Sequence, residues 1–226
     1  RRSLLKAALL VGGGMVLHFS WLAGCTPAKR GIKLPGEWFE LNSYIKIGEN
    51  GVITLYNPNP EFGQNVKTSM PMILAEELDV DWENVIVEQA DFYPERYQRQ
   101  FTGGSQSIRQ GWMPLRTAGA TARQMLILAA AQLWKVPAGE ITTEPGVLLH
   151  KASGKKVSYG EVAGAAAHIA VPKEVELKKV SDFKIIGKSK RNVELQNILT
   201  GKPLFTLDYK AEGMLIAMIV HPRAFS

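Results

Sequence analysis

Thiols and imidazoles are scarce in this 226-residue chain, which has one cysteine, Cys25, and four histidines, His18, His150, His168 and His221. A single thiol excludes an internal disulfide, a four-cysteine zinc site and a self-contained iron–sulfur cluster. The histidines are far apart in sequence and none has the spacing of a metal site, so each reads as an ordinary surface or core residue. Three catalytic signatures are also missing: a Gly-x-Ser-x-Gly elbow, a phosphate loop ending in Gly-Lys-Ser/Thr, and a Rossmann glycine pattern. What is present is a globular composition, 46% hydrophobic and 21% charged, which excludes a disordered chain, a collagen and a coiled-coil rod. Lys plus Arg number 27 against 21 Asp plus Glu, but half of the resulting +6 comes from Arg1, Arg2 and Lys6. The aromatics do not interleave with the basic pairs, so no nucleic-acid partner is expected.

The N-terminus has the three parts of an export signal. Arg1-Arg2-Ser3-Leu4-Leu5-Lys6 is basic, residues 7–19 are apolar and glycine-rich, and Leu22-Ala23-Gly24-Cys25 supplies small residues before a cleavage point. The apolar run falls short of the about 20 residues a membrane span needs. The paired arginines resemble a twin-arginine signal, with Leu4 where the usual pattern has Phe, and that route carries proteins already folded, often around a cofactor. The last four residues resemble a lipoprotein box, which makes Cys25 a candidate for lipidation and membrane anchoring. A periplasmic location is expected. Arg1 is not an initiator methionine, so the start of translation is expected upstream.

Residues 26–42, with two prolines and several cations, read as a linker. Residues 43–56 alternate around Glu49-Asn50-Gly51 and predict a hairpin, with Ile45 and Ile47 on one face. Asn57-Pro58-Asn59-Pro60 ends its second strand. A helix running to about Leu78 is expected to begin around Thr68 or to be locally distorted there, because Pro71 is tolerable only near a first turn. Val85-Ile86-Val87 reads as a short strand, and residues 91–100 as a polar, aromatic loop. The longest helical pattern, residues 107–134, places Ile108, Trp112, Leu115, Ala118 or Gly119, Ala122, Leu126, Ala129 and Leu133 at steps of three and four, with Pro114 predicting a kink or a second start. Residues 141–157 predict a hairpin turning at Gly154, and Ser158 is expected to cap a helix through Ala167. The chain then becomes extended and Lys-rich, with Lys155-Lys156, Lys178-Lys179 and residues 188–191 reading as solvated faces. Residues 205–208 and 214–220 read as two strands of a new unit, which would be marginal without partner elements. Either the chain is a fragment or a partner completes it.

Two glycine-containing loops precede helices. Gly63 and Gln64 lead into the first, and Gly103, Gly104, Ser105, Gln106 and Ser107 into the second. Free N–H groups and the helix dipole make such ends natural anion sites, and glycine permits close approach. Ordinary helix capping would use the same residue types.

The run Pro60-Glu61-Phe62-Gly63-Gln64-Asn65-Val66-Lys67-Thr68, then Ala75-Glu76-Glu77-Leu78, then Phe101-Thr102-Gly103-Gly104-Ser105-Gln106-Ser107 resembles the molybdopterin-binding large subunit of the xanthine dehydrogenase and aldehyde oxidase family, in particular its exported isoquinoline 1-oxidoreductase β branch. Arg191, Ile198-Leu199-Thr200-Gly201-Lys202, Phe205, Asp208 and Gly213-Met214-Leu215 are similar to the opening of that family's hammerhead domain. The resemblance implies an α+β fold: a molybdopterin-binding segment with mixed sheet and helices over residues 43–187, then the start of an α/β hammerhead-like domain over residues 188–226. It implies molybdopterin cytosine dinucleotide as cofactor, contacted by Gly63, Gln64, Gly103, Gly104, Ser105, Gln106 and Ser107. Asn65 stands where many members have Gly. Family members hydroxylate aldehydes or electron-poor N-heterocycles with oxygen from water, using a glutamate near the C-terminal end of the full-length polypeptide. Nothing in these residues matches that segment, so no catalytic residue is assigned; the chain alone is expected to be inactive, and Glu61 reads as a structural group. Iron–sulfur clusters are expected only in a partner small subunit, with a cytochrome as a further candidate partner. The alternative is a noncatalytic exported lipoprotein that binds a small solute or a protein.

Overall fold

The computed structural model describes residues 32–97, 99–202 and 208–221. The expected export signal, Cys25 and the expected strand at residues 205–207 therefore lie outside the described residues. Strands β1 (Trp38–Asn42), β2 (Ile45–Gly48) and β3 (Ile53–Asn57) form an antiparallel meander, and β4 (Val85–Gln89) adds to β3 in parallel. The meander forms because alternation places Ile45 opposite Leu55 and Ile47 opposite Ile53, burying all four on one face. Gly51, at φ 81°, supplies the turn between them. Trp38–Asn42, inside the stretch expected as linker, is strand β1, and its Leu41 is buried.

Helix α1 (Val66–Leu78) crosses from β3 to β4, as parallel pairing requires. It begins before Thr68, with Pro71 inside it, because the amides of Thr68 and Ser69 both find the Asn65 carbonyl at 3.2 Å. Helix α2 (Ser107–Trp134) runs as one element through Pro114, so the expected second start is absent. Leu115, Ala122, Leu126 and Ala129 are buried, whereas Ile108 and Leu133 at its ends are exposed. The two helices meet at Gly119, where a Cβ would lie 2.6 Å from the Leu74 carbonyl oxygen.

A second sheet, β5 (Ile141–Glu144), β6 (Val147–His150) and β7 (Lys155–Ser158), is an antiparallel meander. The single hairpin expected here is two, since Gly146 at φ 76° adds a turn ahead of Gly154. Helix α3 (Tyr159–Ala167) starts with a capping box between Ser158 and Glu161, as expected for Ser158. Its Gly160 is pressed on the β2–β3 turn, where a Cβ would lie 2.5 Å from both the Glu49 carbonyl oxygen and the Gly51 nitrogen. Gly160→Ala should therefore cost about 1–3 kcal/mol by overpacking against backbone that cannot yield. A chemical-denaturation midpoint equal to wild type would contradict this.

Residues 176–186 are tied across α1 and α2 by buried charge. Glu76, fully buried, accepts the backbone N–H groups of Lys184, Ile185 and Ile186 at 2.6–3.1 Å and faces the Lys178 ammonium at 3.4 Å. Glu77 accepts the Lys178 N–H at 3.0 Å and the Arg116 guanidinium at 2.6 Å. Asp79 receives the Lys178 and Lys184 ammonium groups and the Thr143 hydroxyl. Burial pushes the Asp79 carboxyl up, and these donors together outweigh it and hold the group below its ordinary value. Lys178 is thus not the solvated residue its sequence context predicts: its side chain is 11% exposed and doubly paired.

Helix α4 (Leu195–Leu199) follows, anchored to α1 by the Val193 N–H on Thr68 Oγ1 and by Lys67 on Glu194. Residues 214–220, expected as a strand, have no regular structure and no ladder partner, and Leu215, Ile216, Met218, Ile219 and Val220 are almost fully exposed. No neighbouring strand among the described residues supplies the hydrogen bonds that a strand needs.

Candidate functional site

The parallel pair β3 and β4 ends with Asn57 opposite Gln89. The connections leaving these two ends, residues 58–65 into α1 and residues 90–106 into α2, lie at the carboxyl edge where open α/β crossovers place ligand sites. Hydrogen bonds join the two connections. Asn57 Nδ2 donates to the Asn59 carbonyl at 2.6 Å and to Gln89 Oε1 at 2.9 Å. Asn59 Nδ2 donates in turn to the Phe101 carbonyl and to Ser107 Oγ, both at 2.9 Å. The Pro60 carbonyl accepts from Gln64 Nε2 at 3.0 Å and from the Thr102 hydroxyl at 2.8 Å. Six of the seven residues expected to contact a cofactor therefore lie in one stitched pair of loops, and the seventh, Ser107, opens α2 and is held by the same stitching. Tyr97 holds the second loop to the β1–β2 turn by donating to the Ser43 carbonyl at 2.7 Å, and burial pushes its hydroxyl up to about 12, so it stays a donor.

In the first loop, Glu61 is the organising side chain. Its carboxylate accepts the N–H groups of Gly63 at 2.7 Å, Asn65 at 2.9 Å and Lys67 at 2.8 Å. The positive end of α1 is thus already facing an internal anion, which is the structural role expected of Glu61 from its sequence. Gln64 Oε1 accepts the Phe62 N–H at 2.8 Å, so the Gln64 amide is fixed in place. Gly63 sits at φ 109° with open space where a Cβ would be. Asn65 adopts φ 66°, the conformation a Gly would supply, and Asn is among the residues that tolerate it. Its buried Oδ1 and that of Asn57 have no hydrogen-bond partner among the described residues.

The second loop is the opposite case. Gly104 at φ 60° and Ser105 at φ 55° are followed by Gln106 in the right-handed region, and a left-then-right order is the backbone pattern from which anion-binding nests are built. Gln106 provides no side-chain cap and the first turn of α2 has no acid. The first helical bond is Gln110 N–H to the Gln106 carbonyl at 2.9 Å. The N–H groups of Gly104, Ser105, Ser107 and Ile108 consequently have no acceptor among the described residues.

Two cavities flank the loops. One, of about 380 Å³, lies beside Glu61 and Gly63 and is walled by Pro58, Phe92, Lys67 and Ile198. The other, of about 300 Å³, lies beside Gln106 and Ser107. In the first, the Lys67 ammonium, 2.5 Å from Glu194, holds that carboxyl below its ordinary value of 4.5, with Asn197 as a second donor. Because the folded-state value is below the unfolded one, this link stabilises the attachment of α4 above pH 4.5 and is lost as pH falls through the folded value. Amide exchange over residues 193–199 should accelerate in that acid window more than exchange in α2; equal acceleration would refute the link.

A family model described as the molybdopterin cofactor-binding domain matches residues 22–211. The chain belongs to this family. The beta chain of isoquinoline 1-oxidoreductase from Brevundimonas diminuta is 30% identical over 79% of this chain and 28% of its own length. The membrane-bound aldehyde dehydrogenase [pyrroloquinoline-quinone] of Gluconacetobacter polyoxogenes is 29% identical over 95% of this chain and 28% of its own. A nicotinate dehydrogenase subunit of Pseudomonas putida is 27% identical over 87% and 16%. The chain thus spans less than a third of these curated relatives.

Within this molybdopterin-binding domain, the two loops are visible in the sequence, but what joins them is not. Asn59 reads as part of a strand terminator, Thr102 as a member of the glycine-loop run and Arg99 as part of a polar, aromatic loop. Their partners are 42 and 48 residues away for Asn59, 42 for Thr102, and no local pattern announces such distances. Among the described residues, no group of three His, Cys, Asp or Glu side chains is placed to hold a metal ion.

Proposed function

We propose that this chain is the N-terminal part of the large subunit of a periplasmic molybdenum hydroxylase that oxidises aldehydes or N-heterocycles with oxygen from water. The observation that carries the reading is the stitched loop pair at the carboxyl ends of β3 and β4, inside a molybdopterin-binding domain. The polar groups fit the pterin: a fixed amide at Gln64, an open backbone at Gly63, N–H donors at Gly104, Ser105 and Ser107 without acceptors among the described residues, and a buried acceptor, Asn65 Oδ1, likewise unpartnered there. Gly63 and Gln64 would take neutral edges of the cofactor, and residues 103–107 its anionic end. When bound, the molybdenum–pterin group supplies the two-electron oxidation. The residues of this chain bind and orient it, and the catalytic base lies elsewhere in the full-length polypeptide.

The cytosine dinucleotide form of the cofactor, the hammerhead-like start over residues 188–226, the twin-arginine route and lipidation of Cys25 belong to the same proposal. So do an iron–sulfur small subunit and a cytochrome as electron acceptors, the one cysteine of these 226 residues being too few to hold a cluster here. The test is turnover of the full-length protein with its partner, purified from its host, on aldehydes, isoquinoline and nicotinate in ¹⁸O-labelled water. Label in the product supports the proposal, and turnover without label, or none on any of these substrates, contradicts it.

A further inference from the structure

Resting on that reading of the site, we infer that Arg99 is a binding residue for the phosphate portion of the cofactor. Among the described residues, Arg99 is the one charged side chain lining the 300 Å³ cavity beside Gln106 and Ser107. The two arginines of the buried network, Arg116 and Arg123, both face Glu77. Arg99 is partly buried, yet no carboxylate among the described residues comes within ion-pair distance of it. A partly desolvated cation without a counter-charge is costly unless a ligand supplies one.

The guanidinium is also held ready. Its Nη1 donates to Gln106 Oε1 at 3.0 Å, and its Cζ lies over the Phe101 ring, 5.2 Å from the centroid. Gln110 Nε2 donates to the same Gln106 oxygen, so the amide that positions Arg99 is itself fixed. One of five guanidinium N–H groups is used in this way, and the rest of the planar fork matches the geometry of a phosphate. The charges of the two loops set a direction for the ligand. Glu61 at the first loop repels an anion, and Arg99 at the second attracts one.

The test uses the full-length protein with its partner, purified from a host that matures it. Pterin and molybdenum retained per polypeptide are measured after gel filtration over a range of salt concentrations. Arg99→Ala and Arg99→Gln should retain about tenfold less pterin than wild type, as expected for loss of a charge-assisted pair, and Arg99→Lys should fall between. Inorganic pyrophosphate should raise the melting midpoint of the cofactor-free wild type by more than that of cofactor-free Arg99→Ala, which keeps only the loop N–H groups as anion donors. Wild-type retention in Arg99→Ala at every salt concentration, or equal pyrophosphate shifts in both proteins, overturns the role of Arg99 while leaving the cofactor site intact. A wild type that carries no pterin overturns both.

Discussion

Glu76→Ala will destabilise the chain by about 3–5 kcal/mol, the range for removing one partner of a buried charge arrangement. Glu76 is fully buried, and its two oxygens serve three consecutive backbone N–H groups, Lys184, Ile185 and Ile186. Alanine leaves those donors in a site too enclosed for full rehydration, and each buried unpaired donor costs about 1–3 kcal/mol. It also removes one of the two carboxylates that face the Lys178 ammonium from the helix side, leaving Asp79 alone. Glu76→Gln, which keeps one acceptor oxygen, should fall between alanine and wild type. Chemical denaturation followed by circular dichroism checks the order, and an alanine variant within about 1 kcal/mol of wild type would show that residues 184–186 are not held by this carboxylate.

The second large effect is on the cofactor. Gly104→Val should abolish most pterin retention in the full-length protein while leaving secondary structure nearly unchanged. Gly104 stands at φ 60°, where a β-branched residue is a genuine outlier, so valine forces the loop into another conformation. The unpaired N–H groups of Ser105 and Ser107 would then be re-aimed. Direct steric cost is small, since a Cβ at Gly104 meets only the flexible Gln106 side chain at 3.6 Å or beyond. Backbone conformation is therefore the whole of the effect. Gly104→Ala, smaller but subject to the same φ, should also lose pterin; retention at the wild-type level in both variants would remove the second loop from the site.

What is legible in the sequence is local. The β2–β3 hairpin follows from alternation about Asn50-Gly51, α2 from apolar residues at steps of three and four, and α3 from Ser158 and Glu161 three residues apart. The two glycine loops are visible as capping chemistry, and the family resemblance supplies their ligand. The features that escape a sequence reading depend on partners distant along the chain. No local pattern around two adjacent helical glutamates announces the N–H groups that residues 109 and 101 positions later bring to Glu76 and Glu77. Strand β1 is hidden in a linker-like composition, because its pairing with β2 rather than its own pattern defines it. Residues 214–220 err the other way: their apolar, β-prone sequence predicts a strand, but a strand exists only where a neighbour completes the ladder.

The central claim is that the two stitched loops hold a molybdenum–pterin group. Its most direct test is elemental and fluorescence analysis of the full-length protein, purified in matured form from its host. The account predicts molybdenum together with a fluorescent oxidised pterin in equal amounts, both reduced in Gly104→Val. A matured preparation that contains neither, or that carries pyrroloquinoline quinone in their place, would contradict it.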